Sequence, residues 1–214
     1  MYPYREDFQN QVTLFQELRE HFDRLSDENG RPFSISMVAP ALGRTLGTNL
    51  GENLRNILEY VGFMNIRSFE YWKFSSIASA PLYSKTGPNA NGTISYYIIK
   101  SGGVEKLIPG IEFSGTFLND VDSKESQEQR GKVFWGNSEK EGWKDFISSW
   151  DLESQTPYIR EEQKYLSVEN VKNLSKKMEY FNGQNLGGLA IWSLEKDDDK
   201  NTLLEAVSSC GYNQ

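Results

Sequence analysis

The chain has 214 residues, 37% hydrophobic and 25% charged, which suits one globular domain or part of a larger one. A formal net charge of −7 with no clustered Lys/Arg stripe argues against a nucleic-acid partner. Cys210 is the only cysteine and His21 the only histidine, which excludes an internal disulfide and argues against a histidine-based triad, a Cys/His nucleophile pair or a zinc site.

The first element is a helix starting near Phe8, with Phe8, Val12, Phe15, Leu18, Phe22 and Leu25 at helical spacing. His21 falls among its charged positions and reads as solvated. Asn29-Gly30 ends the helix and Pro32 blocks its continuation. Residues 33–38 alternate and then run apolar, as a short strand does, and Ala39-Pro40 stops it. Residues 49–60 read as a helix with Leu50, Leu54, Ile57 and Leu58 on one face. Residues 61–66 form the next buried-strand candidate, and 75–91 a loop rich in Ser, Pro, Gly and Asn. Over 93–100 the β-branched and Tyr content conflicts with helical spacing, so helix and strand both stay open. Residues 107–113 read as a strand.

Residues 119–155 are polar, charged and poor in periodicity. They read as an excursion from the core, anchored by Trp135, Trp143 and Trp150. Residues 168–181 are an amphipathic helix with Val171, Leu174, Met178 and Phe181 on one face. Residues 189–192 close the strand set, and 202–207 form the last helix, with Asn201 as its expected N-cap. Helices alternate with four short apolar strands, near 33–38, 61–66, 107–113 and 189–192. That order predicts an α/β fold with a parallel sheet and helices outside it. No apolar stretch is long enough to cross a bilayer, and no signal-like segment opens the chain, so no membrane segment is expected and localisation stays open.

The most informative stretch is Leu186-Gly187-Gly188-Leu189-Ala190-Ile191-Trp192 with the acidic segment after it. A buried parallel strand that delivers one large aromatic to a barrel mouth has this pattern. It resembles the last barrel strand of the family-18 glycoside hydrolases, the chitinases and chitinase-like proteins. Further stretches resemble the same family in the same order. Residues 15–22 resemble its helix after strand four, 34–40 strand five, 61–66 strand six and 80–83 the loop beyond it. Gly110-Ile111-Glu112-Phe113-Ser114-Gly115 resembles strand seven, while 156–158 and 176–193 resemble the helix and strand that close the barrel. The resemblance implies a (β/α)8 TIM-barrel-type fold of which about the second half, strands five to eight, is present. It implies one partial barrel domain over 1–214, with the excursion at 119–155.

The family hydrolyses β-linked N-acetylglucosamine chains by substrate assistance, an exception to the two-carboxylate scheme. A glutamic acid protonates the glycosidic oxygen, the sugar's own acetamido oxygen attacks, and an aspartate and a tyrosine hydroxyl orient that group. By resemblance, Met1-Tyr2-Pro3 puts Met1 where the catalytic glutamate would stand. The family's Met-Thr-Tyr-Asp segment reads Arg67-Ser68-Phe69-Glu70, and its Phe-Tyr-Gly-Arg segment reads Phe113-Ser114-Gly115-Thr116. Phe69 lacks the phenol hydroxyl. Glu70 keeps a carboxylate that Arg67 can neutralise as a surface ion pair. Trp192 is the sugar-site residue retained unchanged, and its indole can stack on a pyranose. By resemblance the Trp192–Ser193 peptide is cis.

These residues imply a substrate-binding set of Trp192, Glu70, Phe69 and Arg67, no catalytic residue, no metal and no cofactor. The expected function is a catalytically inactive chitinase-like protein binding chitin-type oligosaccharides. Two alternatives stay open: a piece of a longer chitinase, or a structural or interaction protein without sugar binding, whose open half-barrel edge invites pairing with another chain, a second copy included. Asp197-Asp198-Asp199 has adjacent rather than spaced carboxylates and reads as a solvated helix start, not a cation site. Asn91 and Asn173 fit the N-glycosylation pattern, the second of them inside a helix.

Overall fold

The computed structural model describes residues 5–41, 48–71, 78–119, 130–137 and 149–211. The readings placed on Met1-Tyr2-Pro3 and Trp143 lie outside them. The chain runs α1 (Arg5–Asn29), β1 (Ser36–Ala39), α2 (Thr48–Tyr60), β2 (Phe63–Ile66), α3 (Ala90–Ser101), β3 (Leu107–Glu112) and β4 (Ser114–Leu118). It continues β5 (Arg130–Phe134), β6 (Ser149–Asp151), β7 (Thr156–Glu161), β8 (Lys164–Val168), α4 (Val171–Asn182), β9 (Ala190–Trp192) and α5 (Thr202–Ser209).

The four strands expected from the sequence form one parallel sheet in the order β1-β2-β3-β9. Alternation along each strand divides its faces. Met64, Ile66, Leu107 and Ile111 face the helices and join Leu54, Ile57, Ile94, Tyr97, Met178 and Phe181 in one buried core. The opposite face carries Val38, Phe63 and Trp192, all exposed, with Glu112 buried among neighbours at the sheet's end. Helix α1 packs on α2, α2 on α3, and α4 on α5.

Residues 93–100 lie within helix α3. Two caps decide against strand there: the Asn89 side chain accepts from the Gly92 N–H at 2.8 Å, and Gly102 ends the helix at a φ of 77°. Its buried positions, Ala90, Thr93, Ile94, Tyr97 and Ser101, follow helical spacing. In α4 the buried face is rotated from the expected one. Val171 is exposed, while Asn173 and Lys177 are buried beside Leu174, Met178 and Phe181. Lys177 is taken inside by an ion pair of 2.5 Å with the equally buried Glu169.

The 119–155 segment supplies β5 and β6 to a second sheet, antiparallel, in the order β5-β4-β8-β7-β6. Thr156–Glu161 is a strand of that sheet and not part of the barrel-closing helix. The chain passes from the first sheet to the second at the buried Phe113. Val133, Ile159 and Leu166 make a small core on one face of the second sheet. Gly115 is required where β4 crosses β8, since a Cβ there would lie 2.2 Å from the Ser167 carbonyl oxygen.

Candidate functional site

In a parallel sheet all strands end at the same edge, and that edge carries the residues singled out from the sequence. Arg67 to Glu70 follow β2, Glu112 ends β3 and Trp192 ends β9. Glu112 and Trp192 are direct neighbours across β3 and β9. The Ser68 hydroxyl fixes the end of β2 to β3, donating to the Gly110 carbonyl at 2.6 Å and accepting from the Gly110 N–H at 3.0 Å.

Glu70 is only 7% exposed and sits at a φ of 62°, in the left-handed region. It is therefore not the surface pair expected from the sequence. Its carboxylate accepts from Arg67 as expected, and also from Lys132, which reaches over from β5. Lys132 Nζ donates to Glu112 Oε2 as well, at 3.3 Å. Glu112 is fully buried and accepts from the Ser79 hydroxyl at 2.7 Å and the Ser114 hydroxyl at 2.8 Å. Burial works against the charge of Lys132, but the carboxylates of Glu112 and Glu70 outweigh it and hold the ammonium above its ordinary range.

Phe69 is buried in the core, its ring against Gly110 and 5.4 Å from the Arg67 guanidinium carbon. Trp192 is the reverse case, 53% exposed, and the Trp192–Ser193 peptide is cis. Lys196 lies between two aromatic rings, with Nζ 5.3 Å from the Phe134 centroid and 5.8 Å from that of Trp192. Burial, then the nearby charge of Lys132, lowers its pKa from the ordinary value. The edge thus presents one open aromatic face beside carboxylates already engaged by cations.

Sequence reasoning missed Glu112, Ser79 and Lys132. A lone glutamate in the apolar run of 107–113 was a legible signal. Lys132 had none, because its segment lacks periodicity. The acidic run is also more specific than a solvated helix start. Asp197 accepts from the Leu203 and Leu204 N–H groups at 3.1 and 2.8 Å, and Asp198 from that of Thr202 at 2.9 Å. Asn201 has a φ of 56° and no side-chain capping bond, so these aspartates replace it as caps. Asn173 is buried, bonded to Glu169 and within the cap of α4, which removes it as a glycosylation candidate. Among the described residues no cluster of three or more His, Cys, Asp or Glu could hold a metal, and no helix is long and apolar enough to cross a membrane.

The family model of glycosyl hydrolases family 18 matches residues 1–197. The chain belongs to this family. A probable endochitinase of Caenorhabditis elegans is 22% identical over 216 residues, covering 90% of this family-18 chain and 35% of the worm protein. Chitinase-3-like protein 2 of Homo sapiens is 23% identical over 226 residues, covering 92% of this chain and 57% of the human protein. The chain therefore spans between about a third and just over half the length of these relatives. Among solved structures, YKL-39, crystallised in the presence of chitooligosaccharides (GlcNAc4), superposes with a TM-score of 0.82 at 21% identity. That match covers 100% of this chain and 67% of the other. Such neighbours give this family-18 chain a TIM-barrel-like α/β fold, and the β1-β2-β3-β9 sheet with its outer helices is its α/β layer.

Proposed function

We propose that this chain is a chitinase-like protein of family 18 that binds N-acetylglucosamine oligosaccharides on Trp192 without hydrolysing them. The observation that carries the reading is the contrast at the strand ends. Trp192 offers a half-open indole face, while Glu70 is neutralised by Arg67 and Lys132 and Phe69 is packed in the core. An indole face suits the C–H face of a pyranose. A general acid needs a protonated carboxyl within reach of the glycosidic oxygen, and its loss costs about 100- to 10,000-fold in rate. Neither buried glutamate is presented that way. The neighbour crystallised with GlcNAc4 supports the ligand class. In this reading the domain covers 1–214, its parallel strands are the fifth to eighth of the barrel, and the antiparallel sheet is a wall beside the mouth.

The test is retention on chitin together with turnover. Wild type should be retained, and Trp192→Ala should weaken binding about tenfold, the scale of one aromatic contact. Equal retention of both would remove Trp192 from the site. Release of fluorophore from an N-acetylglucosamine oligomer above the buffer rate would overturn the inactive reading.

One observation favours a second reading. The chain spans only part of its curated relatives, so its residues could serve in a longer chitinase. Turnover by a longer form carrying a family acidic motif ahead of these residues would establish it. Phe69 and the engaged Glu70 predict poor activity even there.

A further inference from the structure

On one face of the antiparallel sheet, Lys132, Thr116 and Ser167 stand side by side across β5, β4 and β8. Lys132 reaches Glu112 at the end of β3, while Thr116 and Ser167 reach Ser79 in the loop after β2, itself bonded to Glu112. Lys132 bonds Glu70 and Glu112. The Thr116 hydroxyl donates to the Ser79 hydroxyl at 3.2 Å, and the Ser167 hydroxyl accepts from the Ser79 N–H at 3.2 Å. One polar row thus docks the second sheet on the first. The Lys132 end of that row lands on Glu112, the direct neighbour of Trp192.

We propose that Lys132 is a positioning residue for the glycan site: by bridging Glu70 and Glu112 from the second sheet, it holds that sheet as a fixed wall beside Trp192. The inference rests on Trp192 being the glycan platform. Hydroxyl pairs such as Thr116–Ser79 are individually weak and exchange readily with water. An ammonium shared by two poorly exposed carboxylates is stronger and is lost only at the cost of stranding a buried charge. The charged end of the row therefore fixes the distance between wall and indole. Glu70, already paired with Arg67, shares Lys132 with Glu112, and the sheet that supplies this second cation is tied to both carboxylates.

The experiment compares wild type, Lys132→Met and Lys132→Arg, with Glu70→Gln as a milder variant should Lys132→Met fail to fold. Isothermal titration with the N-acetylglucosamine tetramer measures the site, and amide hydrogen exchange measures the wall. Lys132→Met should weaken the tetramer at least about tenfold and speed exchange at least about tenfold across 130–134, while α2 and α4 keep their rates. Glu70→Gln should give a smaller change of the same local kind, and Lys132→Arg should restore both readouts to within about threefold. Unchanged exchange at 130–134 in Lys132→Met, or a rise spread evenly over α2 and α4, overturns the proposal. If wild type itself fails to bind the tetramer, the glycan reading falls, and exchange alone decides whether Lys132 holds the sheet.

Discussion

At the scale of single residues, Glu169 and Lys177 show how the chain buries charge beside a built-in partner. Glu169 and Lys177 are both almost fully enclosed, and Asn173 donates to the second oxygen of Glu169 at 2.7 Å. Burial is the larger influence and holds Glu169 above the ordinary carboxylate range, with Lys177 drawing it only part of the way back. The folded chain thus keeps a proton on this group to higher pH than the unfolded chain does. The stability it contributes is full below the ordinary carboxylate range and falls as pH rises through the folded value. Lys177→Met removes the cation and leaves only the Asn173 hydrogen bond against burial. It should cost about 3–5 kcal/mol near neutral pH, measured by urea unfolding, and distinctly less near pH 5. An equal loss at both pH values would mean that Glu169 is not the group left stranded. This pair also explains why α4 turns Val171 outward. A hydrophobic count placed Val171 inside, but it cannot weigh a lysine whose partner lies eight residues earlier.

At the scale of elements, what was legible followed periodicity, and what was not followed docking. The four parallel strands and the helices between them show apolar spacing because one face of each meets the same core. Strands β5 and β6 show none. In β5 the Lys132 side chain points at carboxylates, Val133 at a small core, and Phe134 to solvent, so polar and apolar positions answer to different neighbours. Helix α5 carries a sharper case. Its first turn is capped from outside by Asp197 and Asp198, in place of Asn201. Asp197→Ala takes the acceptor from the backbone N–H groups of Leu203 and Leu204 in α5, and from that of Asp198, and should lower stability by about 1–2 kcal/mol. Asp199→Ala, at an exposed position, should change it by less than about 0.5 kcal/mol. Thermal unfolding of the two variants side by side separates capping from mere negative charge, since a dipole effect alone would cost both a similar amount.

At the scale of the whole molecule, among the described residues one face of the parallel sheet is sealed, while the other is covered near Gly110 and Glu112 and open at Val38 and Phe63. Met64, Ile66 and Leu107 are sealed under helices, whereas Val38 is 57% exposed and Phe63 39% on the opposite face. In a closed barrel such inward-facing side chains fill the interior. Among the described residues β1 and β9 each pair with one neighbour, which leaves an edge at either side of the described sheet. Open edges and apolar patches favour pairing with another chain. The net charge of −7 opposes a second copy of the chain, and the opposition weakens as salt screens it. Association should therefore rise with both protein concentration and ionic strength, as read by sedimentation velocity. Val38→Lys places a charge on the edge strand at an already exposed position. It should reduce both association and the binding of an apolar dye, with little change in melting temperature. A wild-type chain that sediments as one species at every concentration and salt level, and binds no dye, would show that face to be closed in solution. Trp192 would then stand at the rim of a covered interior, and a glycan bound there as proposed would approach only from the side of the second sheet.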